Sequence, residues 1–384
     1  MYVHVPFCAA RCDYCDFATW TDRSHLMVEY VEGCIADLDR RFGSATVPLP
    51  KASSVFFGGG TPSLLAAELL TSVLDAIPRA PGAEVTVECN PDSVDAAKLT
   101  AYQAAGVNRL SFGVQSSRPH VLAALGRTHD RANVARAIAL ARECGFERVS
   151  VDLIYGTPGE TLDDWRATLD DMLAFEPDHV SAYALTVEPA TPLGKRVAAG
   201  ISPAPDDDDQ ADKYAIADER LAAAGFGWYE ISNWARPGQE CRHNLVYWTG
   251  GDYLAIGCAA HGYTRGRRWW TVRTPERYIE QVAAGGASPA STEAGSETLT
   301  PAARAEEAFA LAIRLRDGVV VAEAAEPTVR DLAAGGLLEA AAAPDRAVLT
   351  RAGRLMGSDV MTRLLLAGAA ERFEAPEAAG TRYH

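Results

Sequence analysis

The sequence predicts an α/β fold: a partial (β/α)6 barrel, then a C-terminal α+β extension and a small winged-helix-like module. From residue 1 to about 190, short β-rich runs alternate with helical patterns in six repeats of about 30 residues, which is typical of a parallel sheet with helices outside. Most of the predicted strands are apolar runs, as expected where both faces of a sheet are covered. Six units are fewer than the eight of a full barrel, so we expect a partial one.

The six βα units can be placed along the chain. The predicted strands are Tyr2–Phe7, Ser53–Phe57, Glu84–Cys89, Arg109–Val114, Arg148–Tyr155 and His179–Leu185. The predicted helices between them are Met27–Phe42, Leu64–Ile77, Ala96–Ala105, Ala132–Cys144 and Leu162–Phe175. Because the carboxyl ends of parallel strands share one rim, polar residues at those ends are candidate ligand contacts.

The regular alternation ends near residue 200. The acidic run Pro203–Asp209 indicates a solvated linker or a helix N-terminus. A helix is predicted over Asp212–Ala224, and an aromatic-rich stretch runs from Trp228 to Trp248. Residues 284–302 are small and polar, which predicts a linker, and the last 80 or so residues indicate helix, helix, short strand pair and helix. We therefore expect three domains, 1–200, 201–290 and 291–384.

The charge balance argues against nucleic acid as a partner. The 384 residues include 36 Lys and Arg against 51 Asp and Glu, a formal net charge of −15, and an acidic surface repels a phosphate backbone. The C-terminal module, with 10 arginines and 12 acidic residues from 301 onward, has no basic patch either. The sequence has no apolar run of 18 residues and begins MYVHVPFCAARC without a signal-peptide pattern, so we expect a cytoplasmic protein that does not span a membrane.

Three of the eight cysteines are clustered directly after the first predicted strand. Cys8, Cys12 and Cys15 form a Cys-x3-Cys-x2-Cys motif, whereas the other five are scattered singly. Thiolates in one tight loop select zinc, copper or an iron–sulfur cluster. Structural zinc needs four protein ligands, whereas a [4Fe–4S] cluster on three cysteines leaves one iron open for a substrate. The candidates for the fourth zinc ligand are Cys89, Cys241 and His243.

This cysteine spacing, with an aromatic residue before the last cysteine, resembles the signature of the radical S-adenosylmethionine (SAM) superfamily. The resemblance implies a [4Fe–4S] cluster on Cys8, Cys12 and Cys15 whose open iron is chelated by the amino and carboxylate groups of SAM. It also implies that one electron from the cluster cleaves this cofactor to a 5′-deoxyadenosyl radical. The usual fold of the superfamily, a partial (β/α)6 barrel, agrees with the six repeats of the sequence.

The rim of the predicted barrel carries the candidate SAM contacts. The glycine-rich segment Phe57–Ser63 ends the second strand, and its missing Cβ atoms let a ligand approach the backbone. In the superfamily this loop meets the methionine end of the cofactor. Polar residues lie at or just past the ends of three further strands, and Arg127 could supply the cation for a carboxylate. The expected contacts are Tyr2, Tyr14, Gly59, Gly60, Thr61, Glu88, Gln115, Arg127 and Asp152.

Further motifs are similar to those of oxygen-independent coproporphyrinogen III oxidase and its relatives. They are YxHxPFC, GGGTPS, ExNP, SFGVQS, LGRTH and DLIYGTPGET. In the decarboxylating oxidase a fourth cysteine lies two residues after the third, and a long segment precedes the cluster. Here Phe17 occupies that position and seven residues precede Cys8. Both features resemble the HemW heme-chaperone subfamily, whose HNxxYW motif matches residues 243–248.

The HNxxYW segment provides the candidate heme contacts His243, Tyr247 and Trp248, with His243 as a conceivable axial ligand. A histidine beside Tyr and Trp is equally compatible with a hydrogen-bonded structural residue, and both interpretations stay open. His4, in the first strand, is expected to be structural.

Two principal functions follow from these resemblances, and the cysteine cluster alone leaves one simpler alternative. The favoured one is a heme chaperone that binds heme and passes it to an acceptor protein. It would hold a [4Fe–4S] cluster and SAM in the barrel and take electrons from a flavodoxin- or ferredoxin-type donor. The second is an oxygen-independent coproporphyrinogen III oxidase, in which the 5′-deoxyadenosyl radical abstracts hydrogen from propionate side chains. The third is a zinc-stabilised binding protein.

Overall fold

The computed structural model describes residues 1–42, 50–285, 292–340, 342, 345–371 and 373. Its centre is a nine-stranded sheet in the order β7-β8-β6-β5-β4-β3-β2-β1-β9. The strands are β1 (Tyr2–Val5), β2 (Ala52–Gly59), β3 (Arg79–Cys89), β4 (Arg109–Gln115), β5 (Arg148–Tyr155), β6 (His179–Ala184), β7 (Gly227–Glu230), β8 (Asn233–Ala235) and β9 (Ala255–Ile256). Neighbouring strands from β1 to β6 are all parallel, which confirms the six predicted βα units.

The sheet is extended at both edges by strands that lie beyond the predicted barrel. β9 pairs with β1 in parallel, whereas β8 pairs antiparallel with β6 and β7 pairs antiparallel with β8. Because β7 and β9 lie at the two edges, the described strands form an open, partial barrel.

Helices connect the parallel strands, and a further helix, the last in the list that follows, comes after β6. They are α1 (Met27–Phe42), α2 (Ala67–Ala76), α3 (Ala96–Ala104), α4 (Pro119–Ala124), α5 (Arg131–Glu143), α6 (Leu162–Leu173) and α7 (Pro192–Ala198). The alternate strand residues that face these helices are apolar and buried, as Leu110 and Phe112 of β4 are. This layer between strands and helices is the main hydrophobic core.

The inner face of the sheet is polar, so the prediction of apolar runs is wrong for several strands. In β4 the residues between the core positions are Arg109, Ser111 and Gly113, and in β6 the corresponding residues include His179 and Ser181. These residues line a cavity instead of packing against a second apolar layer. The alternation of polar and apolar residues in these strands therefore separates a polar face on the cavity from an apolar face against the helices.

The acidic run after the barrel is a helix N-terminus. In α8 (Asp207–Ala223) the N-cap residue is Asp206, whose Oδ1 accepts a hydrogen bond of 2.8 Å from the backbone N–H of Asp209. Three aspartates occupy the first turn, where the helix dipole favours negative charge. The helix therefore begins five residues before the predicted Asp212.

The predicted linker 284–302 is partly a strand. After α9 (Arg242–Trp248), a three-stranded antiparallel sheet forms from β10 (His261–Thr264), β11 (Arg267–Thr271) and β12 (Glu293–Thr298), with α10 (Pro275–Ala283) between the last two. A Cβ atom on Gly295 would come within 2.4 Å of the ring of Trp270, so this small residue lets the indole lie across β12. Residues 286–291 of the predicted linker lie outside the described residues.

A smaller module with its own apolar core follows. Its elements are α11 (Pro301–Ala312), β13 (Val319–Val320), α12 (Glu326–Ala334), β14 (Arg346–Ala347), α13 (Arg351–Leu355) and α14 (Gly357–Leu366), and β13 pairs antiparallel with β14. The last residues of the predicted module, 374–384, lie outside the described ranges. Across those ranges, no helix is long and apolar enough to cross a bilayer.

One arginine fastens this module to α8. Arg354 of α13 donates to both carboxylate oxygens of Asp218, at 2.9 and 2.6 Å, and to the hydroxyl of Tyr214 at 3.0 Å. Its guanidinium also lies 4.3 Å from the ring centroid of Trp228. The Arg354 side chain is only 4% exposed, so the contact is a buried anchor between the module and the barrel.

Candidate functional site

The predicted site residues converge on one cavity at the carboxyl ends of β1–β6. Its volume is about 910 Å³, near the upper end of the roughly 300–1,000 Å³ of small-molecule pockets. The three clustered cysteines and all the expected SAM contacts line it, as do His243 and Tyr247, whereas Trp248 does not. The aromatic part of the wall is Tyr and Phe: none of the seven tryptophans, all within the described ranges, lines the cavity.

The cysteine loop is held by backbone hydrogen bonds. The N–H of Cys8 donates to the carbonyl of Trp20 at 3.0 Å, and the N–H of Cys15 donates to the carbonyl of Cys12 at 3.2 Å. A Cβ atom on Gly60 would lie 3.1 Å from the sulfur of Cys8 and 2.7 Å from the carbonyl of Phe7. Only glycine therefore lets the second strand approach this loop so closely.

The donor set fits an iron–sulfur cluster better than a single metal ion. All three cysteines are free thiols, half-buried on the cavity wall. Burial raises the pKa of the Cys8 and Cys15 thiols, so bound metal would be needed to stabilise the thiolates. In the described part of the chain, no three or more His, Cys, Asp or Glu side chains converge as ligands of one metal ion. In a [4Fe–4S] cluster each cysteine binds a different iron, so convergence on one point is not required.

The candidates for a fourth zinc ligand already have other partners. The Cys241 thiol donates to Glu84 Oε1 at 3.6 Å, and the Cys89 thiol donates to the carbonyl of Val87 at 3.6 Å. Both thiols are buried. Neither thiol belongs to a group of three or more metal-ligating side chains in the described residues.

Glu88 and the glycine loop form one side of the rim. The N–H of Gly59 donates to Glu88 Oε2 at 3.1 Å, and Gly59 has a φ of +111°, a conformation that favours glycine. Burial, and secondarily the charge of Asp152, raises the pKa of Glu88 to about 8. The raised pKa favours the protonated form of Glu88, which can donate a hydrogen bond to a ligand.

Asp152 and Arg127 supply opposite charges across the cavity. Asp152 Oδ2 accepts a hydrogen bond of 2.9 Å from the Ser111 hydroxyl, and burial raises the pKa of Asp152. Arg127 donates through Nη1 to the sulfur of Cys12 at 3.5 Å and through Nη2 to the carbonyl of Gly113. Its Nε is buried without a hydrogen-bond partner. An unused donor next to the cysteine loop fits the carboxylate of a cofactor chelated there.

His243 lies at the bottom of the same cavity and is fully hydrogen-bonded. Nδ1 shares a hydrogen bond of 2.9 Å with the Ser54 hydroxyl, and Nε2 shares one of 2.9 Å with the Tyr247 hydroxyl. The residue is 2% exposed, and burial holds its pKa well below the usual range. His4 is also buried and bonded through both ring nitrogens, to Tyr2 and to the carbonyl of Ala18.

Sequence reasoning missed the deeper wall of the cavity. It includes Thr86, Arg109, His179 and Asn244, and Tyr183 at the rim was missed as well. The polar residues that alternate with apolar ones in β3–β6 were the available signal, because every second residue of a strand points to the same face.

An open parallel barrel with a three-cysteine loop after its first strand defines the class of radical SAM proteins. A family model described as the radical SAM superfamily matches residues 2–172. Heme chaperone HemW of Mycobacterium tuberculosis is 44% identical over 373 residues, covering 95% of this chain and 94% of that relative. Heme chaperone HemW of Bacillus subtilis is 35% identical over 380 residues, covering 95% and 98%. The chain belongs to the HemW family of the radical SAM superfamily.

The fold comparison agrees with this class. A solved structure of coproporphyrinogen III oxidase (HemN) from Escherichia coli aligns with a TM-score of 0.80 over 94% of this chain and 89% of that chain. Its sequence identity is 20%, so the likeness shows the shared fold alone. Membership of the radical SAM superfamily identifies a [4Fe–4S] cluster and SAM as the cofactors, and the cysteines and charged groups of the cavity fit both.

Proposed function

We propose that this protein is a heme chaperone, which binds heme and passes it to an acceptor protein without oxidising coproporphyrinogen III. The observation that carries the proposal is the 44% identity to a heme chaperone over 95% of the chain. Phe17 supports it, because this residue is 60% exposed at the cavity mouth and offers no thiol.

In this proposal, Cys8, Cys12 and Cys15 hold the cluster, which when bound supplies an electron to SAM. Arg127 pairs with the cofactor carboxylate, and Asp152 accepts from its ribose hydroxyls or ammonium. The backbone at Gly59, Gly60 and Thr61 accommodates the methionine end. Tyr2, Tyr14, Glu88 and Gln115 complete the contacts, and all of these residues lie on the cavity wall.

The same cavity supports a heme contact at the His243–Trp248 segment. His243 and Tyr247 line it, and burial keeps the imidazole neutral, the form that binds iron. Ligation through Nε2 would replace the hydrogen bond to Tyr247. Trp248 does not line the cavity, so in this arrangement its ring would not contact heme directly.

Two partners and a compartment complete the proposal. A flavodoxin- or ferredoxin-type donor would reduce the cluster, and a heme protein without its cofactor would be the acceptor. Since an open iron is oxygen-labile, a reducing cytoplasm suits the protein.

The test uses anaerobically reconstituted protein with SAM and a reductant. Heme and coproporphyrinogen III are offered separately, and the Soret band and the decarboxylated product are measured. We expect a stable heme complex, weakened by His243→Ala, and no decarboxylation. Sustained turnover of coproporphyrinogen III would assign the oxidase function instead, and absence of a heme complex would refute the chaperone.

A further inference from the structure

The deepest part of the cavity contains two donors without acceptors. Arg109, the first residue of β4, is 2% exposed, and its Nη2 has no hydrogen-bond partner, whereas Nη1 donates to the carbonyl of Gln239 at 2.9 Å. Thr86 is its register partner on β3, is fully buried, and has an unpartnered hydroxyl. Both side chains line the cavity.

The charge at this floor is positive. Glu84, fully buried behind Arg109, is the nearest acid, with its Oε2 3.9 Å from Arg109 Nη1. The same oxygen lies 3.9 Å from Arg148 and 4.0 Å from Arg242. Three guanidinium groups thus surround one carboxylate, and only that of Arg109 reaches the cavity.

The floor is separate from the rim where SAM is proposed to bind. Arg109 precedes Gly113 by four residues on β4, which at about 3.3 Å per residue places the two backbone positions roughly 13 Å apart. The wall between them carries hydroxyl groups, among them Ser111 and Ser150. These two serines and Arg109 itself line the cavity, which therefore extends below the rim.

We propose that this floor, formed by Arg109 and Thr86, binds a carboxylate carried on a short aliphatic arm. One free guanidinium N–H group and one hydroxyl match the two oxygens of a carboxylate, and a charge-assisted hydrogen bond in a buried site is strong. If the arm is a propionate of heme, the subsite adds a specific carboxylate contact to the proposed heme binding and rests on that function. A small free carboxylic acid has the same chemistry.

The position of His243 agrees with a heme propionate. Its backbone N–H donates to Glu84 Oε1 at 3.0 Å, and Glu84 Oε2 faces Arg109. The proposed iron ligand and the proposed carboxylate site therefore share one buried carboxylate as a neighbour. A macrocycle contacting His243 has its edge close to the cavity floor.

The experiment compares heme with heme dimethyl ester, in which both propionates are esterified. Each is titrated into SAM-loaded protein without oxygen, and the Soret band is followed. We expect the parent to prefer heme by roughly 10- to 150-fold, the range of a charged hydrogen bond of about 1.5–3 kcal/mol. Arg109→Gln should remove this preference, whereas Arg109→Lys should keep part of it.

Two further variants separate binding from folding. Arg148→Gln removes a guanidinium at the same 3.9 Å from Glu84 but outside the cavity, so it should keep the full preference for heme. Thr86→Val removes only the hydroxyl and should weaken heme, not its ester, by roughly 2- to 12-fold. Equal loss in Arg109→Gln and Arg148→Gln would overturn the subsite, since both would then act through Glu84.

A third experiment identifies the source of the carboxylate. Sodium propionate is added to the parent and to Arg109→Gln, and the thermal unfolding midpoint is measured. If heme and its ester bind equally, or neither binds, an upward shift confined to the parent assigns the subsite to a free carboxylic acid. Failure of heme to bind would then refute the chaperone alone. No preference for heme and no shift with propionate would overturn the subsite.

Discussion

At the scale of single residues, the sulfur of Cys12 differs from its neighbours in receiving a hydrogen bond from a guanidinium. Cys12→Ser should abolish cluster assembly, because serine is a poor ligand for a soft metal centre. Iron and sulfide are measured after anaerobic reconstitution, and we expect about four of each in the parent and almost none in the variant.

The control for this prediction is Cys144→Ser, at the end of α5, whose sulfur faces Thr100 and the carbonyl of Ala96 and does not line the cavity. It should retain the full complement of iron. Stoichiometric zinc without sulfide in the parent would contradict the cluster assignment.

The raised pKa of Glu88 predicts a pH-dependent stability of the cofactor-free protein. The carboxyl ionises near its usual 4.5 in the unfolded chain but near 8 in the fold, so the folded state holds the proton more tightly. The free energy of unfolding should therefore fall as the pH rises from about 4.5 through about 8. Urea denaturation between pH 6 and 9 measures the slope, which Glu88→Gln should reduce.

The exposed helix residue Glu143 provides the comparison, since Glu143→Gln removes a carboxyl group that does not line the cavity. An unchanged slope in Glu88→Gln would show that Glu88 is ionised in the folded cavity.

At the scale of elements, the start of α8 depends on a single cap. Asp206→Ala removes the side chain that accepts from the N–H of Asp209, and we expect a loss of about 1 kcal/mol in the free energy of unfolding. Asp212→Ala, on an exposed position inside the same helix, should change it by a few tenths at most. Equal effects of the two substitutions would mean that charge, and not capping, stabilises this end.

The parallel strands and their helices were predictable because each unit repeats a local pattern. β12 was not, because its residues are small and polar and become a strand only by pairing with β11, whose Trp270 lies over Gly295. The short strands β7, β8 and β9 were missed for the same reason: two to four residues carry no periodicity of their own.

At the scale of the whole molecule, Arg354 joins two bodies with separate cores. Arg354→Met removes both hydrogen bonds to the half-buried Asp218, which keeps only its bond from Trp234, and should destabilise the protein by roughly 1.5–3 kcal/mol. Hydrogen exchange of α13 and α14, together with thermal unfolding, measures this loosening. Arg351→Met, on the same helix as Arg354, removes an exposed ion pair with Glu219 of α8 and should cost less than about 1 kcal/mol. Protection of α14 that survives in Arg354→Met would show that apolar packing alone fastens the module.

The sequence predicts correctly that those site residues that lie at the carboxyl ends of strands come together. The cysteines, Glu88 and Asp152 could be placed on one rim because parallel strands end together. Arg109 could not, because it begins its strand, and only the register with β3 and the segment around Gln239 shows that it closes the cavity from below. His243 was found by its motif, but its two hydrogen bonds depend on contacts from β2 and α9.

Because no tryptophan lines the cavity wall, fluorescence responds differently to the different ligands that bind there. Intrinsic emission excited at the indole band reports on all seven tryptophans, of which Trp165 and Trp234 are fully buried in the core, and so follows unfolding. A ligand at the rim contacts no indole directly, because no tryptophan lines the cavity. Heme absorbs where indoles emit and quenches them at a distance by energy transfer. We therefore expect the emission to change little on addition of SAM and to fall on addition of heme, so that a single fluorescence titration distinguishes the two ligands.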